Sequence, residues 1–218
     1  MSVIVVAGSK GGAGKTLVSI SVAGVLARQG IDVVLIDADP TRAAHRFATV
    51  TYEGPPLKVV AEDDEDRLAH LIGDLRQQHR VVLVDTPGFA NLASSVAIAS
   101  ADYVLIPCKS SEADLFEARK TAEKVRSLAV TTRRAIPAAV VLNSVRTTAV
   151  AQHAAAEVAD AGLETFTTTL GHRADFEALT HSGQVPKSGA SHRELDALVD
   201  ELRSRDWLPS IKASRIAV

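Results

Sequence analysis

With a single cysteine, Cys108, this 218-residue chain has no partner for an intramolecular disulfide and cannot supply a multi-cysteine metal site. A reducing cytoplasm is the natural setting. Aromatic side chains make up only 4% of the sequence, so the core has to be built from Ala, Val, Leu and Ile, which suits a parallel sheet buried on both faces by helices. No stretch approaches the ~20 apolar residues that span a bilayer. The opening run Met1-Ser2-Val3-Ile4-Val5-Val6 carries neither a basic leader nor a cleavage site. Charge of one sign is also missing: the formal net charge is −2, which excludes a protein-wide basic field and leaves nucleic acid only local patches. No internal repeat or low-complexity linker is present. What remains, 46% hydrophobic and 23% charged residues, describes a soluble globular protein. Its length fits one α/β domain, expected over residues 1–206 with a C-terminal tail over 207–218.

Apolar, β-branched runs alternate with helical stretches. Strands are expected at Val3–Ala7, Val33–Ile36, Leu57–Val60, Val81–Val84, Tyr103–Ile106 and Ala138–Leu142, with a weaker one at Thr165–Thr168. Their continuous apolarity, without alternation, predicts strands covered on both sides. Helices are expected at about 15–28, 65–78, 112–129, 147–161, 174–182 and 190–204. This order predicts a mostly parallel twisted sheet of about seven strands with right-handed crossovers. The acidic run Glu62-Asp63-Asp64-Glu65-Asp66 reads as a solvated helix start favoured by the helix dipole, rather than as a metal site.

The strongest motif is Gly8-Ser9-Lys10-Gly11-Gly12-Ala13-Gly14-Lys15-Thr16, followed by Leu17, between the first strand and the first helix. Small residues let successive backbone N–H groups curl around phosphate oxygens, and the helix N-terminus adds a favourable dipole. Lys15 has the reach for β- and γ-phosphates, and the Thr16 hydroxyl is a Mg²⁺ ligand in such loops. Ser9 stands where the ordinary Walker pattern has Gly. A second lysine, Lys10, sits five positions before Lys15; without further context it is a solvent-exposed loop cation.

Three carboxylates follow at strand ends, where an open α/β sheet binds ligands. Val33-Val34-Leu35-Ile36-Asp37-Ala38-Asp39-Pro40 places Asp37 and Asp39 beside the loop, with Asp39 also suited to the N-terminus of a helix from Thr41. Val81-Val82-Leu83-Val84-Asp85-Thr86-Pro87-Gly88 fits a Walker B strand, with Asp85 holding Mg²⁺ and Gly88 giving a switch segment its freedom.

Together these motifs resemble the deviant Walker A ATPases of the ParA/MinD family, end to end. The KGGxGK[ST] loop, the DxDP segment at Asp37–Pro40 and the run Ala101-Asp102-Tyr103-Val104-Leu105-Ile106-Pro107 all carry the resemblance. The stretch Thr167–Phe176 followed by Gly183-Gln184-Val185-Pro186 looks like the C-terminal region of small ParF-type and VirC1-like proteins. The resemblance implies ATP and Mg²⁺ as cofactors and weak, partner-stimulated ATP hydrolysis. It implies that Lys10 reaches across a homodimer interface to the other subunit's nucleotide, and that Asp39 orients the attacking water and touches the Mg²⁺ shell. It implies partners of three kinds: a second copy, non-specific DNA and a ParB/ParG-like centromere-binding adaptor. A cytoplasmic, nucleoid-associated location follows. Asn143, after Val140-Val141-Leu142, falls where relatives carry an adenine-binding Asn; a turn-forming Asn is the alternative. Leu17 and Thr41 depart from the family's KTT and DPQ. Pro209 interrupts the tail where MinD proteins carry a membrane-binding helix, so a membrane partner is not expected; the alternative to DNA partition is a MinD-like or other spatial regulator acting on a membrane or protein scaffold.

Between Arg119 and Arg146 stand seven basic residues and one acid. Lys120, Lys124, Arg133 and Arg134 are the candidate DNA contacts, provided they share a surface that a dimer doubles. The alternative is an ordinary solvated helix face. No base-reading motif is present, so any DNA contact is expected to be independent of sequence.

Overall fold

Buried β-branched runs set the centre of the computed structural model, which describes residues 1–88 and 91–209. The strands are β1 (Ser2–Val6), β2 (Val33–Asp37), β3 (Lys58–Ala61), β4 (Val81–Asp85), β5 (Tyr103–Cys108), β6 (Ala138–Leu142) and β7 (Glu164–Thr165). They form one seven-stranded sheet in the order β3-β2-β4-β1-β5-β6-β7. Every pairing is parallel. The helices are α1 (Lys15–Arg28), α2 (Ala43–Arg46, continuing as a π-helical turn Phe47–Thr51), α3 (Glu65–Gln78), α4 (Leu92–Ser100), α5 (Glu112–Thr132), α6 (Thr148–Asp160), α7 (Ala174–Ser182) and α8 (Gly189–Ser204).

Two cores sandwich the sheet, as continuous apolarity requires. On one face Leu68, Ile72 and Leu75 of α3 join Ile98 of α4, Val125 of α5 and Val158 of α6. On the other, α1, α7 and α8 pack through Val18, Leu26, Leu179, Leu198 and Leu202. Trp207 and Leu208, expected to begin the tail, are buried in this second core. The Trp207 ring stacks on Tyr103 with centroids 5.0 Å apart and meets Phe166 edge-on at 5.3 Å. The packed body therefore runs past residue 206; the rest of the tail from 210 lies outside the described residues.

Three elements differ from the expected pattern. Helix α4 was not anticipated, because Leu92-Ala93-Ser94-Ser95-Val96-Ala97 is too poor in large apolar residues to announce a face; Asn91 starts it by accepting the Ser94 amide at 2.8 Å. The α2–π segment was likewise missed. Strand β7 stops at Thr165 because the amides of Thr167 and Thr168 donate at 2.8 Å each to the Glu201 carboxylate on α8. Burial raises that carboxyl, but these amides and Arg205 outweigh it and hold it down at about 2. The acidic run does start a helix: Asp64 caps α3 by accepting the Arg67 amide at 3.0 Å.

Candidate functional site

Register aligns the chemistry. Val6 of β1 and Asp37 of β2 both lie opposite Asp85 of β4, so the two carboxylates and the start of the loop meet at one edge of the sheet. The chain leaves β1 there, curls through residues 8–14 and enters α1. Gly14, the N-cap, has φ 98° and offers no side-chain cap. The first amides of α1 therefore face the site without a side-chain partner at the cap, an anion-binding arrangement. A Cβ at Gly14 would stand 2.0 Å from Asn143 Nδ2, so any other residue there would displace Asn143 and strain the backbone. Around the loop lies a cavity of 580 Å³ lined by Gly11, Gly12, Gly14, Lys15, Thr16 and Leu17 of the loop and by Asp39, Thr41, Pro87, Gly88 and Asn91. That size is within the range of small-molecule pockets. Ala13 is buried beneath the loop and does not line the cavity.

The two loop lysines are placed differently. Lys15 is buried, its Nζ donating to the Lys10 carbonyl at 3.0 Å. Burial pushes its ammonium below the ordinary value, while Asp85 and Asp39 pull the other way. Lys10 is 44% exposed and its Nζ lies 2.9 Å from Asp114 Oδ1 on α5. Burial raises the Asp114 carboxyl, but the Ser111 hydroxyl and Lys10 outweigh it and hold it below the usual range.

Asp85 is fully buried. Its Oδ1 accepts the Ser19 hydroxyl at 3.1 Å, while Oδ2 has no hydrogen-bond partner. Burial pushes the carboxyl up to about 7; the Thr16 and Ser19 hydroxyls and Lys15 oppose this, and Asp37 adds to it. A buried carboxylate oxygen without a partner, beside a threonine hydroxyl and an anion-binding loop, fits a hard divalent cation. Asp37 is used for shaping: its oxygens accept the amides of Asp39 (3.1 Å) and His45 (2.8 Å), fixing the turn after β2. Asp39 in turn accepts the Thr41 amide at 2.8 Å through Oδ1 and lines the cavity.

Asn143 is buried under the loop, with Nδ2 donating to the Ala13 carbonyl at 3.0 Å and Oδ1 accepting the Ser144 amide at 2.8 Å. Its amide is engaged with protein backbone and braces Gly14. The candidate DNA contacts fall in two places along α5. Lys120 and Lys124 face a separate cavity between α4 and α5. Arg133 caps the far end of α5, and Arg134 donates to the Ala99 and Ala101 carbonyls and to Asp102. Thirteen residues of helix put Arg133 ~20 Å from Lys120. Sequence reasoning missed Asp114, Ser19 and the tie between Ser9 and α5. Only Asp114 left a trace, as a first-turn acid three residues after the N-cap Ser111.

A phosphate loop between a buried strand and α1, with carboxylates at the neighbouring strand ends and a second lysine in the loop, defines a P-loop protein of the ParA/MinD family. The chain belongs within it to the VirC1 protein family, which it matches over residues 1–193. Protein ParA of Rhizobium radiobacter is 35% identical over 109 residues, 50% of this chain and 49% of that protein; the match thus spans about half of that relative's length. Maintenance of carboxysome distribution protein A of Halothiobacillus neapolitanus is 29% identical over 209 residues, 91% of this chain and 95% of that protein. Among solved structures, the ATP complex of a McdA variant from Cyanothece superposes with a TM-score of 0.80 at 17% identity, covering 97% of this chain and 99% of that one. That likeness speaks to fold.

Proposed function

We propose that this chain is a partition-type ATPase: ATP drives a sandwich dimer, the dimer holds DNA without sequence preference, and a ParB/ParG-like adaptor on the cargo stimulates hydrolysis to ADP and phosphate. The observation that carries this is the division of labour between the lysines. Lys15 is buried inside the loop, where it serves the subunit's own phosphates. Lys10 stands exposed on the loop's outer side, where a cation serves a nucleotide presented by a second copy.

Gly11 to Leu17 cradle the phosphates with backbone amides. Thr16, Asp85 and Asp39 are the residues for Mg²⁺, which when bound neutralises charge on the phosphate oxygens. Asp39, braced by Asp37 and by the Thr41 amide, holds the attacking water. Asn143 keeps the loop in shape through the Ala13 carbonyl. ATP shifts the monomer–dimer balance only through contacts made in the dimer alone, so Lys10 is the switch. DNA affinity follows from doubling a modest set of cations, from Lys120 and Lys124 or from Arg133, on dimerisation. No described helix is long and apolar enough to cross a membrane.

One relative matched over 91% of this chain is named for the maintenance of carboxysome distribution. This favours, as a second reading, a cargo other than a plasmid moved by the same cycle. The test is retention on non-specific duplex DNA with ATP, ADP or no nucleotide across a salt series. ATP-dependent retention that falls steeply with salt is expected. Equal binding in all three states, or none with an ATP dimer present, removes DNA from the cycle.

A further inference from the structure

A second cavity, 240 Å³ in volume, lies between α4 and α5 and shares no lining residue with the phosphate-loop cavity. Gly8 and Ser9 form one wall, Ile98 supplies an apolar surface, and Glu117, Lys120 and Lys124 bring charge. Two of these groups are already paired. Glu117 Oε2 accepts the Ser9 hydroxyl at 2.7 Å, and Glu117 Oε1 holds Lys120 Nζ at 3.2 Å.

Lys124 differs. It is half-buried at the cavity wall and makes no hydrogen bond or ion pair with any described residue. An ammonium partly withdrawn from water without a counter-ion is a cost that an arriving anion offsets. Burial accordingly pushes it below the ordinary lysine value. On the α4 side, Ser94 is buried and lines the same cavity, and its hydroxyl has no hydrogen-bond partner among the described residues. Two free donors, one cationic and one neutral, line this one small cavity, and a carboxylate supplies one oxygen for each. A phosphate dianion brings more oxygens than there are donors, and Glu117 repels its second charge. The apolar wall suits a short aliphatic stem.

We infer that this cavity is a binding site for a small aliphatic carboxylate, gripped by Lys124 and Ser94, either a free diacid or the Glu or Asp side chain of a protein partner. Occupancy reaches the phosphate loop directly. The Ser9 amide donates to Thr121 Oγ1 at 3.1 Å and its hydroxyl to the Glu117 carboxylate, so α5 holds the residue next to Lys10. A second carboxylate in the cavity competes with Glu117 for Lys120 and loosens that grip. The coupling to the loop rests on the ATP-dependent reading above; the binding does not.

Amide NMR spectra of the full chain, without nucleotide, test the site with glutarate, N-acetyl-glutamate methylamide, inorganic phosphate and duplex DNA at matched ionic strength. Saturable shifts at Ser9, Ser94 and Thr121 with a carboxylate are expected. Lys124→Gln is expected to weaken binding roughly tenfold and Ser94→Ala severalfold, as loss of a charged and a neutral hydrogen bond implies. Glutarate alone identifies a free diacid, and equal response to the blocked glutamate identifies a partner's side chain. No saturable shift with either acid, an unchanged response in folded Lys124→Gln and Ser94→Ala, or shifts only with phosphate or DNA overturns the site. Phosphate release measured with the bound acid then separates the claims. Binding with unchanged ATP turnover overturns the coupling, whereas a chain with no ATP turnover under any condition overturns the ATPase reading and leaves the site standing.

Discussion

Lys10, the lysine that sets this loop apart from an ordinary phosphate loop, has its Nζ 2.9 Å from Asp114 Oδ1 on α5 of the same chain. Asp114 is itself fixed through its other oxygen by the Ser111 hydroxyl. A lysine proposed to serve a second subunit is thus occupied by its own helix beforehand, and transfer requires that pair to open. Because Lys10 is partly exposed, the pair is weak enough to exchange.

Asp114→Asn removes the charge that detains Lys10 while keeping the side chain's shape. The ATP concentration for half-dimerisation is expected to fall by about two- to fivefold, the equivalent of a partly exposed ion pair worth up to ~1 kcal/mol. Light scattering over an ATP series measures it. A rise in that concentration shows instead that Asp114 supports the dimer.

Asp85 sets an unusual pH dependence. Its folded carboxyl, at about 7, lies above the ordinary value of 3.8. Between these values the unfolded chain ionises while the folded one retains its proton, so stability falls as pH rises through the window. The span corresponds to a loss on the order of 4 kcal/mol. Asp37, also raised by burial, adds in the same direction. The melting temperature without metal or nucleotide is expected to decline from pH 5 to pH 8, and Asp85→Asn to flatten the decline. A profile equally steep in that variant assigns the effect elsewhere. Glu201 and Asp114, held low, act only below this range.

Gly14→Ala introduces a Cβ 2.0 Å from Asn143 Nδ2 at φ 98°. The expected outcome is a cost of ~1–3 kcal/mol in stability and loss of ATP-analogue binding measured by calorimetry. Normal binding shows that Asn143 moves aside without cost to the loop.

Much of this was legible in the sequence for physical reasons. Uninterrupted apolar runs such as Val81–Val84 announce a strand covered on both faces, and a glycine-rich turn between strand and helix announces an anion site. The register that sets Asp37 opposite Asp85 is visible only in the folded sheet. Contacts between residues far apart in the chain were not legible. Ser9 and Glu117 are separated by more than a hundred residues and carry no pattern that pairs them. Helix α4 hid because its buried face is mostly Ala and Ser, with Ile98 its one large side chain, and β7 was shortened by a carboxylate on α8. Whether the cations of the stretch from 119 to 146 share a surface was left open, because a sequence shows charge and not direction.

Trp207 was read as tail and packs as core. Trp207→Ala removes the stacked contact with Tyr103 and the edge contact with Phe166, and is expected to destabilise the fold by ~3–5 kcal/mol. Urea unfolding measures this. A loss below 1 kcal/mol shows the segment to be dispensable to the domain.

The most direct test of the account is the mass of Lys10→Ala by light scattering with ATP and Mg²⁺, beside an ATP-binding titration of the same variant. The account predicts that the wild-type chain doubles in mass with ATP while Lys10→Ala binds ATP and stays monomeric. An ATP dimer of undiminished stability in Lys10→Ala contradicts it, because Lys10 then serves only its own subunit.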